Sequence, residues 1–457
     1  MKNYDIVVIG AGPGGYVAAI KAGQLGAKVA IIEKNYIGGV CLNIGCIPTK
    51  ALIKSARVYQ DILNSEDFGI TLDPKTVKVD MKKVVSRKDG IVKRLTGGVS
   101  MLLKKNKVEI IEGEAKVKDK NTIEVNGETI NAKNIIIATG ASPVIPPIPG
   151  VKEGLESGYV LTSKEALALN EVPKNLVVVG GGVIGIEFAT VFASFGSNVT
   201  VVEMADNILL SLDNEVRASY LKSLKKQKIN IITNGAVSKV DKNKVTYTKD
   251  GKNHELPADK VIMSVGMRPN TQGFEHLGFE ITRTGIKTNE KLETTVKGIY
   301  AIGDVNGNMM LAHVASAEAI IAVENIMGKD SKMDYTKVPA GIYGTPEIAQ
   351  VGLTEEQAKA QGIDYKVSKF PLAANGKSLA EGETDGFIKI IANKKYNEVI
   401  GVHILAPHAT DLISEAVVLM ELEGTAYELA SAIHPHPTLS ESLMETAHGI
   451  IDKPIHI

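Results

Sequence analysis

The sequence predicts an α/β chain with two Rossmann-like units, followed by a smaller α+β domain at its C-terminal end. Three observations lead there. An apolar run, Ile6 to Ile9, breaks into glycines at Gly10. The same pattern returns at Leu176 to Gly185. From about residue 338 the glycine fingerprint is gone, and strand-like runs precede helical ones.

The first unit spans residues 5–34. Its apolar run reads as a buried parallel strand, Gly10-Ala11-Gly12-Pro13-Gly14-Gly15 turns it into a helix, and Ala27 to Lys34 returns as a second strand ending at Glu33. Gly10 permits the tight turn, Gly12 lets a pyrophosphate approach the backbone, and Gly15 lets helix and strand pack closely. The helix N-terminus faces the phosphates, and Glu33 stands where a carboxylate accepts from a ribose hydroxyl. In the second unit Gly180, Gly182 and Gly185 take the glycine places, Gly196 aligns with Gly26, and Glu203 aligns with Glu33. One such turn is weak evidence; two, each with its acid at the same offset, indicate two dinucleotide sites. Glu203 would repel a 2′-phosphate, and Met204 and Ala205 supply no positive charge, so one cofactor is expected to be NAD and not NADP.

Composition narrows the class. Basic and acidic residues balance at 52 each, which gives no electrostatic case for nucleic acid or an anionic membrane. No apolar run reaches the ~18 residues of a membrane helix. The N-terminus opens on a strand and not on a signal peptide, so a cytoplasmic setting is expected. In that setting the match to a glycosylation sequon at Asn198-Val199-Thr200 carries no weight.

Between the repeats, a helix is expected from Thr49, with Pro48 suited to a first turn, and a second over about 80–105. Ile135 to Gly140 reads as a buried strand ending at glycine, and Pro143, Pro146, Pro147 and Pro149 as a stiff linker. A second boundary falls near Gly266–Asn270. Gly298 to Asp304 is a further strand, ending in an exposed acid that would hold a polar part of the first cofactor. The expected division is 1–145, 146–268, 269–338 and 339–457. In the last part, strands are expected at Ile348–Leu353, Tyr365–Pro371, Phe387–Ala392 and Glu398–Leu405, and helices over 410–422, 425–433 and 438–449.

Two clusters carry chemistry. The chain's 2 cysteines, Cys41 and Cys46, stand with four residues between them in GGVCLNIGCIPTK, residues 38–50. No further Cys or His lies close by to complete a metal site, so no metal is expected. By themselves they are either two inert buried thiols or a redox pair. A secretory disulfide framework fits poorly without an export signal. The second cluster is HPHPTLSE, residues 434–441. Thr438 and Glu441 fit a capping box. Glu441 could equally orient and charge His436 as a general base. Spacing does not separate the two, because both put Glu441 in the same place.

Taken together, GAGPGG (10–15), GGVCLNIGCIPTK (38–50), ATG (138–140), GGGVIGIE (180–187), GIYAIGD (298–304), PEIAQVGLTEEQA (346–358) and HPHPTLSE (434–441) resemble the flavin-dependent pyridine nucleotide–disulfide oxidoreductases over essentially the whole chain. Glu203, FPLAANGKSLA (370–380) and TDGFIKI (384–390) resemble the branch that oxidises dihydrolipoamide. The resemblance implies two FAD/NAD(P)-type domains and a C-terminal dimerisation domain, with FAD in the first site and NAD in the second. It implies a Cys41–Cys46 redox disulfide in which Cys46 lies against the flavin and Cys41 meets substrate. Lys50 and Glu187 would pair beside the flavin. His436 would come from the partner of a homodimer, and a cis peptide would precede Pro437. FAD contacts are implied at Gly10, Gly12, Gly14, Gly15, Glu33, Lys34, Gly39, Val40 and Lys50. Further on they are implied at Ala115, Thr139, Gly140, Gly303, Asp304, Ala312 and His313. NAD contacts are implied at Gly180, Gly182, Ile184, Gly185, Glu187, Glu203 and Gly266.

The implied reaction is oxidation of protein-bound dihydrolipoamide with reduction of NAD⁺. The lipoyl domain is expected on a separate carrier, since the first strand starts at once. Val40, Met267 and Pro435 depart from the commonest family pattern, none of them at a catalytic position of the family. Two alternatives remain. A glutathione-reductase-like enzyme would want basic residues after the second unit's second strand, and mercuric or large thioredoxin reductases would want extra C-terminal cysteines. A flavoprotein redox sensor would not need His436 and Glu441.

Overall fold

Two sheets whose central strands run parallel in the same register carry the first two thirds of the chain. The structure, a computed structural model, describes residues 2–457. In the first sheet Lys2–Ile9 lies between Val29–Glu33 and Glu128–Ile137, parallel to both, and Glu109–Glu112 extends the far side. In the second, Asn175–Val179 lies between Asn198–Val202 and Lys260–Met263. Ile6 stands opposite Val29, and Leu176 opposite Val199, so the repeat read from glycines is also a repeat of strand register. These strands are near-continuous Val and Ile because helices cover both faces. Ile6, Val8 and Ile31 are fully buried, as are Val178 and Val201. Each such side chain contributes about 1.5–3 kcal/mol relative to exposure.

The strand Ile299–Ala301 returns to the first sheet, pairing in parallel with Ile135–Ile137. The segment after residue 269 therefore completes the first unit's sheet. The expected proline linker starts inside a strand at Pro143 and runs on through Pro146, Pro147 and Pro149 outside any helix or strand. Ala141–Pro143 pairs antiparallel with Met267–Pro269, so the two expected boundaries form one small ribbon. Proline is tolerated there because each strand has an edge with no ladder to make.

The C-terminal sheet is antiparallel, in the order Ala340–Ile342, Glu347–Gly352, Val399–Ala406, Phe387–Asn393, Tyr365–Pro371. Helices Ala409–Glu421 and Glu441–Ile451 pack on it through Ile413, Ala416, Leu443, Ala447 and Ile450. The last helix starts three residues later than the expected 438. His436–Pro437 is cis, and Glu441 is the first helical residue.

Lys389, fully buried, joins this sheet to the second unit. Its ammonium lies 3.0 Å from Asp213 and 2.6 Å from Glu355. Burial alone would raise the Asp213 carboxyl, but the hydrogen bond and charge of Lys389, the Glu355 N–H and the nearby His403 together outweigh it and hold the group below its usual value. The stabilisation is therefore present above the ordinary aspartate range and lost as pH falls through the depressed value. Lys389→Met leaves Asp213 buried without its partner and is expected to cost about 3–5 kcal/mol. Calorimetry at neutral pH should show a large fall in Tm; an unchanged Tm would mean the cluster contributes nothing.

Candidate active site

The cysteine segment folds as a short helix followed at once by a long one. Gly38 (φ 92°) and Gly39 (φ 59°) turn the chain into the helix Gly39–Ile44, and Gly45 ends it. The helix Cys46–Leu63 starts at once, earlier than the expected Thr49. A side chain at Gly45 would put its Cβ 2.9 Å from the Val40 carbonyl oxygen, so glycine is what allows the two helices to meet this closely. Thr49 Oγ1 donates to the Gly45 carbonyl at 2.6 Å and ties the junction.

Cys46 is thus the first residue of a helix of 18 residues, where the helix dipole and free N–H groups favour a thiolate. Both cysteines are free and half-buried, and the Cys41 thiol donates to Cys46. That hydrogen bond lowers the Cys46 pKa to about 7; burial opposes it, and the Lys50 ammonium reinforces it. Cys41 moves up, because its proton is held by Cys46 and it is buried. The structure therefore separates a thiolate from a thiol. In a Cys41→Ser variant, whose hydroxyl can still donate, Cys46 is the sole thiol. Its ultraviolet thiolate band is expected to titrate below the ordinary thiol range of about 8.5; a midpoint within that range would refute the assignment.

One turn along the same helix, Lys50 lies 2.9 Å from Glu187, which is buried on the helix Val183–Ser194 of the second unit. The expected pair is formed. Glu187 also accepts the Tyr343 N–H at 3.0 Å, and Lys50 sits 4.3 Å from the centre of the Tyr343 ring.

The glycine turns fit nucleotides. Gly10 (φ 101°) and Gly180 (φ 107°) have their Cβ positions 2.3 and 2.4 Å from the Ala138 and Ser264 carbonyl oxygens, so no side chain can enter. Gly15 and Gly185 are closed in the same way by the carbonyls of Gly10 and Gly180, which is the helix–strand packing expected of them. Gly14 packs against Ile302 and Ala315. Above Gly12 and Gly182 the space is open: only the Gly39 Cα, at 4.0 Å from a Gly12 Cβ, comes near. These are cradles that a side chain would fill and a phosphate can enter. Glu33 accepts from the Ala11 N–H at 2.7 Å and Glu203 from the Gly181 N–H at 2.6 Å, so each acid is aimed at its own turn. Those two oxygens, Glu33 Oε2 and Glu203 Oε2, each have a further lone pair to offer a ribose hydroxyl.

Asp304 is recessed in a short turn, Gly303–Val305, and not exposed as expected from sequence. Burial pushes its carboxyl up, and among the described residues its own backbone N–H is the donor that opposes this. Such a group fits a polar cofactor chain with hydroxyls to share. Thr139 and Asn270 close the other side, Thr139 Oγ1 donating to the Asn270 carbonyl at 2.8 Å and Asn270 Nδ2 donating back at 2.9 Å. Ala312 and His313 open the helix Ala312–Ile326, and the His313 ring nitrogen bonds the Pro339 carbonyl at 2.8 Å. Gly140 and Gly266 adopt positive φ, Ala115 is half-buried, Ile184 and Val40 are exposed, and Lys34 pairs with Glu114 at 3.0 Å.

In the C-terminal cluster Glu441 fills both roles left open by spacing. One oxygen accepts from His436 Nδ1 at 2.9 Å and the other from the Thr438 N–H at 2.7 Å. Burial would raise its pKa, but these two bonds outweigh it and hold it low, so Glu441 is a carboxylate. His436 is 78% exposed with Nε2 open to solvent. His434 is buried and spent on structure, bonded to the Ala432 carbonyl at 2.9 Å and to Glu415 at 2.7 Å. Among the described residues no hydrogen bond or ion pair joins His436 or Glu441 to Cys41, Cys46 or Lys50 of the same chain.

This arrangement, two nucleotide turns around a dithiol and a remote histidine–carboxylate pair, coincides with two family models. Pyridine nucleotide-disulphide oxidoreductase matches residues 4–319, and the dimerisation domain of that family matches 338–447. The chain belongs to the pyridine nucleotide-disulphide oxidoreductases. Dihydrolipoyl dehydrogenase of Geobacillus stearothermophilus is 46% identical over 99% of this chain and 97% of its own length. That of Thermus scotoductus is 42% identical over 100% and 99%. Among solved structures, the HOCl-induced flavoprotein disulfide reductase RclA of Escherichia coli, as its Cu(II) complex, superposes with a TM-score of 0.88 at 29% identity, covering 98% of this chain and 99% of that one.

Three site neighbours of this oxidoreductase escape a reading by motif. Tyr16 has its hydroxyl pKa raised by burial and by Cys41 and Cys46, which places it beside the dithiol. Glu318, fully buried, accepts the Gly303 N–H at 2.6 Å and so fixes the turn that carries Asp304. Tyr343 precedes the PEIAQVG motif by three residues. Only Tyr16 had a usable signal, its place directly after the first glycine run.

Proposed function

We propose that this chain oxidises the dihydrolipoyl group of a separate carrier protein with NAD⁺, as a dihydrolipoyl dehydrogenase. The observation that carries this is the combination of a low-pKa Cys46 beside a protonated Cys41 with a Glu203 carboxylate, unsuited to a 2′-phosphate, at the second nucleotide turn. FAD fits the first turn, held by Gly12, Gly39, Glu33 and Asp304, and NAD the second, held by Gly182 and Glu203. The division proposed is 1–145 and 269–338 for FAD, 146–268 for NAD, and 339–457 for pairing with a second copy. Exposed apolar side chains on the last part, with Ile433 at 99% exposure, support a homodimer.

In the oxidised enzyme Cys41 and Cys46 form a disulfide. His436 of one subunit, oriented by Glu441, takes a proton from a substrate thiol, because the thiolate is the species that attacks. The substrate thiolate bonds to Cys41 Sγ, the Cys41–Cys46 bond breaks, and Cys46 leaves as thiolate beside Lys50. The second substrate thiol displaces Cys41, which closes the lipoyl disulfide and leaves two electrons on the cysteine pair. FAD, held at the first turn, would supply the two-electron relay from the cysteine pair beside Lys50 and Glu187 to NAD⁺. A glutathione-reductase-like activity would require NADPH, and a sensor would have no use for a positioned base.

The test follows NADH absorbance with NAD⁺ and dihydrolipoamide, beside a second reaction with NADPH and glutathione disulfide. NADH formation in the first alone is expected. Turnover in the second alone would overturn the cofactor assignment, and silence in both would favour the sensor.

A further inference from the structure

The helix that begins at Cys46 is held by the C-terminal part of the chain at two points. Arg57 donates to the Gly344 carbonyl at 2.9 Å and pairs with the buried Glu347 at 2.8 Å. Nearer the dithiol, Tyr343 holds the Lys50–Glu187 pair from two sides: its N–H bonds Glu187, and its ring lies under the Lys50 ammonium. A cation held over an aromatic face is attracted by the ring's quadrupole, more strongly when partly desolvated. Lys50 is half-buried, Glu187 is buried, and no hydrogen bond uses the Tyr343 hydroxyl among the described residues. The ring is the part of Tyr343 that acts.

We infer that Tyr343 is a positioning residue: its ring fixes the Lys50 ammonium against Glu187, so that the charge stays within reach of the Cys46 sulfur one helical turn away. This rests on the reading of Lys50 and Cys46 given above. The groups facing Cys46 are Cys41 on the preceding helix, Lys50 on its own, Glu187 on the second unit's helix and Tyr16 on the first helix. Lys50 is the cation among them. A lysine swung toward solvent would leave the thiolate facing Glu187 without its counter-charge.

The experiment uses holoenzyme carrying Cys41→Ser, in which Cys46 is the single thiol, and follows its ultraviolet thiolate band against pH. Flavin content and Tm are measured alongside to confirm folding. Tyr343→Leu removes the ring and keeps the backbone N–H; Tyr343→Phe keeps both; Lys50→Met removes the charge. Tyr343→Leu is expected to move the Cys46 midpoint upward by roughly half a pH unit. Tyr343→Phe should leave it in place, and Lys50→Met should raise it further. If Lys50→Met shifts the midpoint while Tyr343→Leu does not, the role of the ring is refuted. An equal shift from Tyr343→Phe would assign the effect to the hydroxyl and also refute it. If Lys50→Met itself changes nothing, the error lies in the Lys50–Cys46 reading on which the inference stands.

Discussion

His436→Ala is expected to slow dihydrolipoamide oxidation by about 10²–10⁴-fold, the usual worth of a positioned general base. Flavin should stay bound, and NADH oxidation by ferricyanide, which asks nothing of a substrate thiol, should continue. The loss should shrink as pH rises, because a substrate thiol then ionises without help. Glu441→Gln keeps an acceptor for His436 but loses the charge, so a smaller loss is expected. An unaltered rate for His436→Ala at neutral pH would remove this histidine from the chemistry.

Cys46→Ser is expected to abolish dihydrolipoamide oxidation outright while the protein remains yellow. A serine at this position cannot form the bond that the substrate thiolate must break. Ferricyanide reduction by NADH should persist here also. Residual turnover above that of a Cys41→Ser, Cys46→Ser double variant would sink the assignment. The two inactive proteins also test each other. If His436 serves the cysteines of the other subunit, subunit exchange between His436→Ala and Cys46→Ser dimers makes heterodimers with one intact site. Random pairing should then restore about a quarter of the wild-type activity. If His436 served its own chain, the mixture would stay silent.

Much of this was legible in the sequence because each chemical task demands a residue with no substitute. Positive φ and closed Cβ space make Gly10 and Gly180 obligatory, and the acids at Glu33 and Glu203 must stand one strand away. The partnership of Lys50 with Glu187 was reachable only through resemblance, since nothing in spacing joins residues 137 positions apart. Tyr343 was missed because it acts by its ring and its backbone, neither of which marks a sequence. Asp304 was misread as exposed because a strand end usually meets solvent. Here Gly303 turns the chain inward, and Glu318 holds the turn from below. The late start of the last helix follows from Glu441 spending its carboxylate on His436 and Thr438.

The small ribbon at Ala141–Pro143 and Met267–Pro269 has a consequence for the chain's architecture. Pro143 stands opposite Met267, and the Val144 N–H bonds the Gly266 carbonyl at 3.0 Å, so the path out of the first unit and the path back run side by side. Everything between these two residues is topologically an insertion with adjacent ends. The first sheet stays continuous without it, through Ile299–Ala301. The second nucleotide unit is thus a cassette in connectivity, fastened to its neighbours from outside by Glu187 against Lys50 and Asp213 against Lys389.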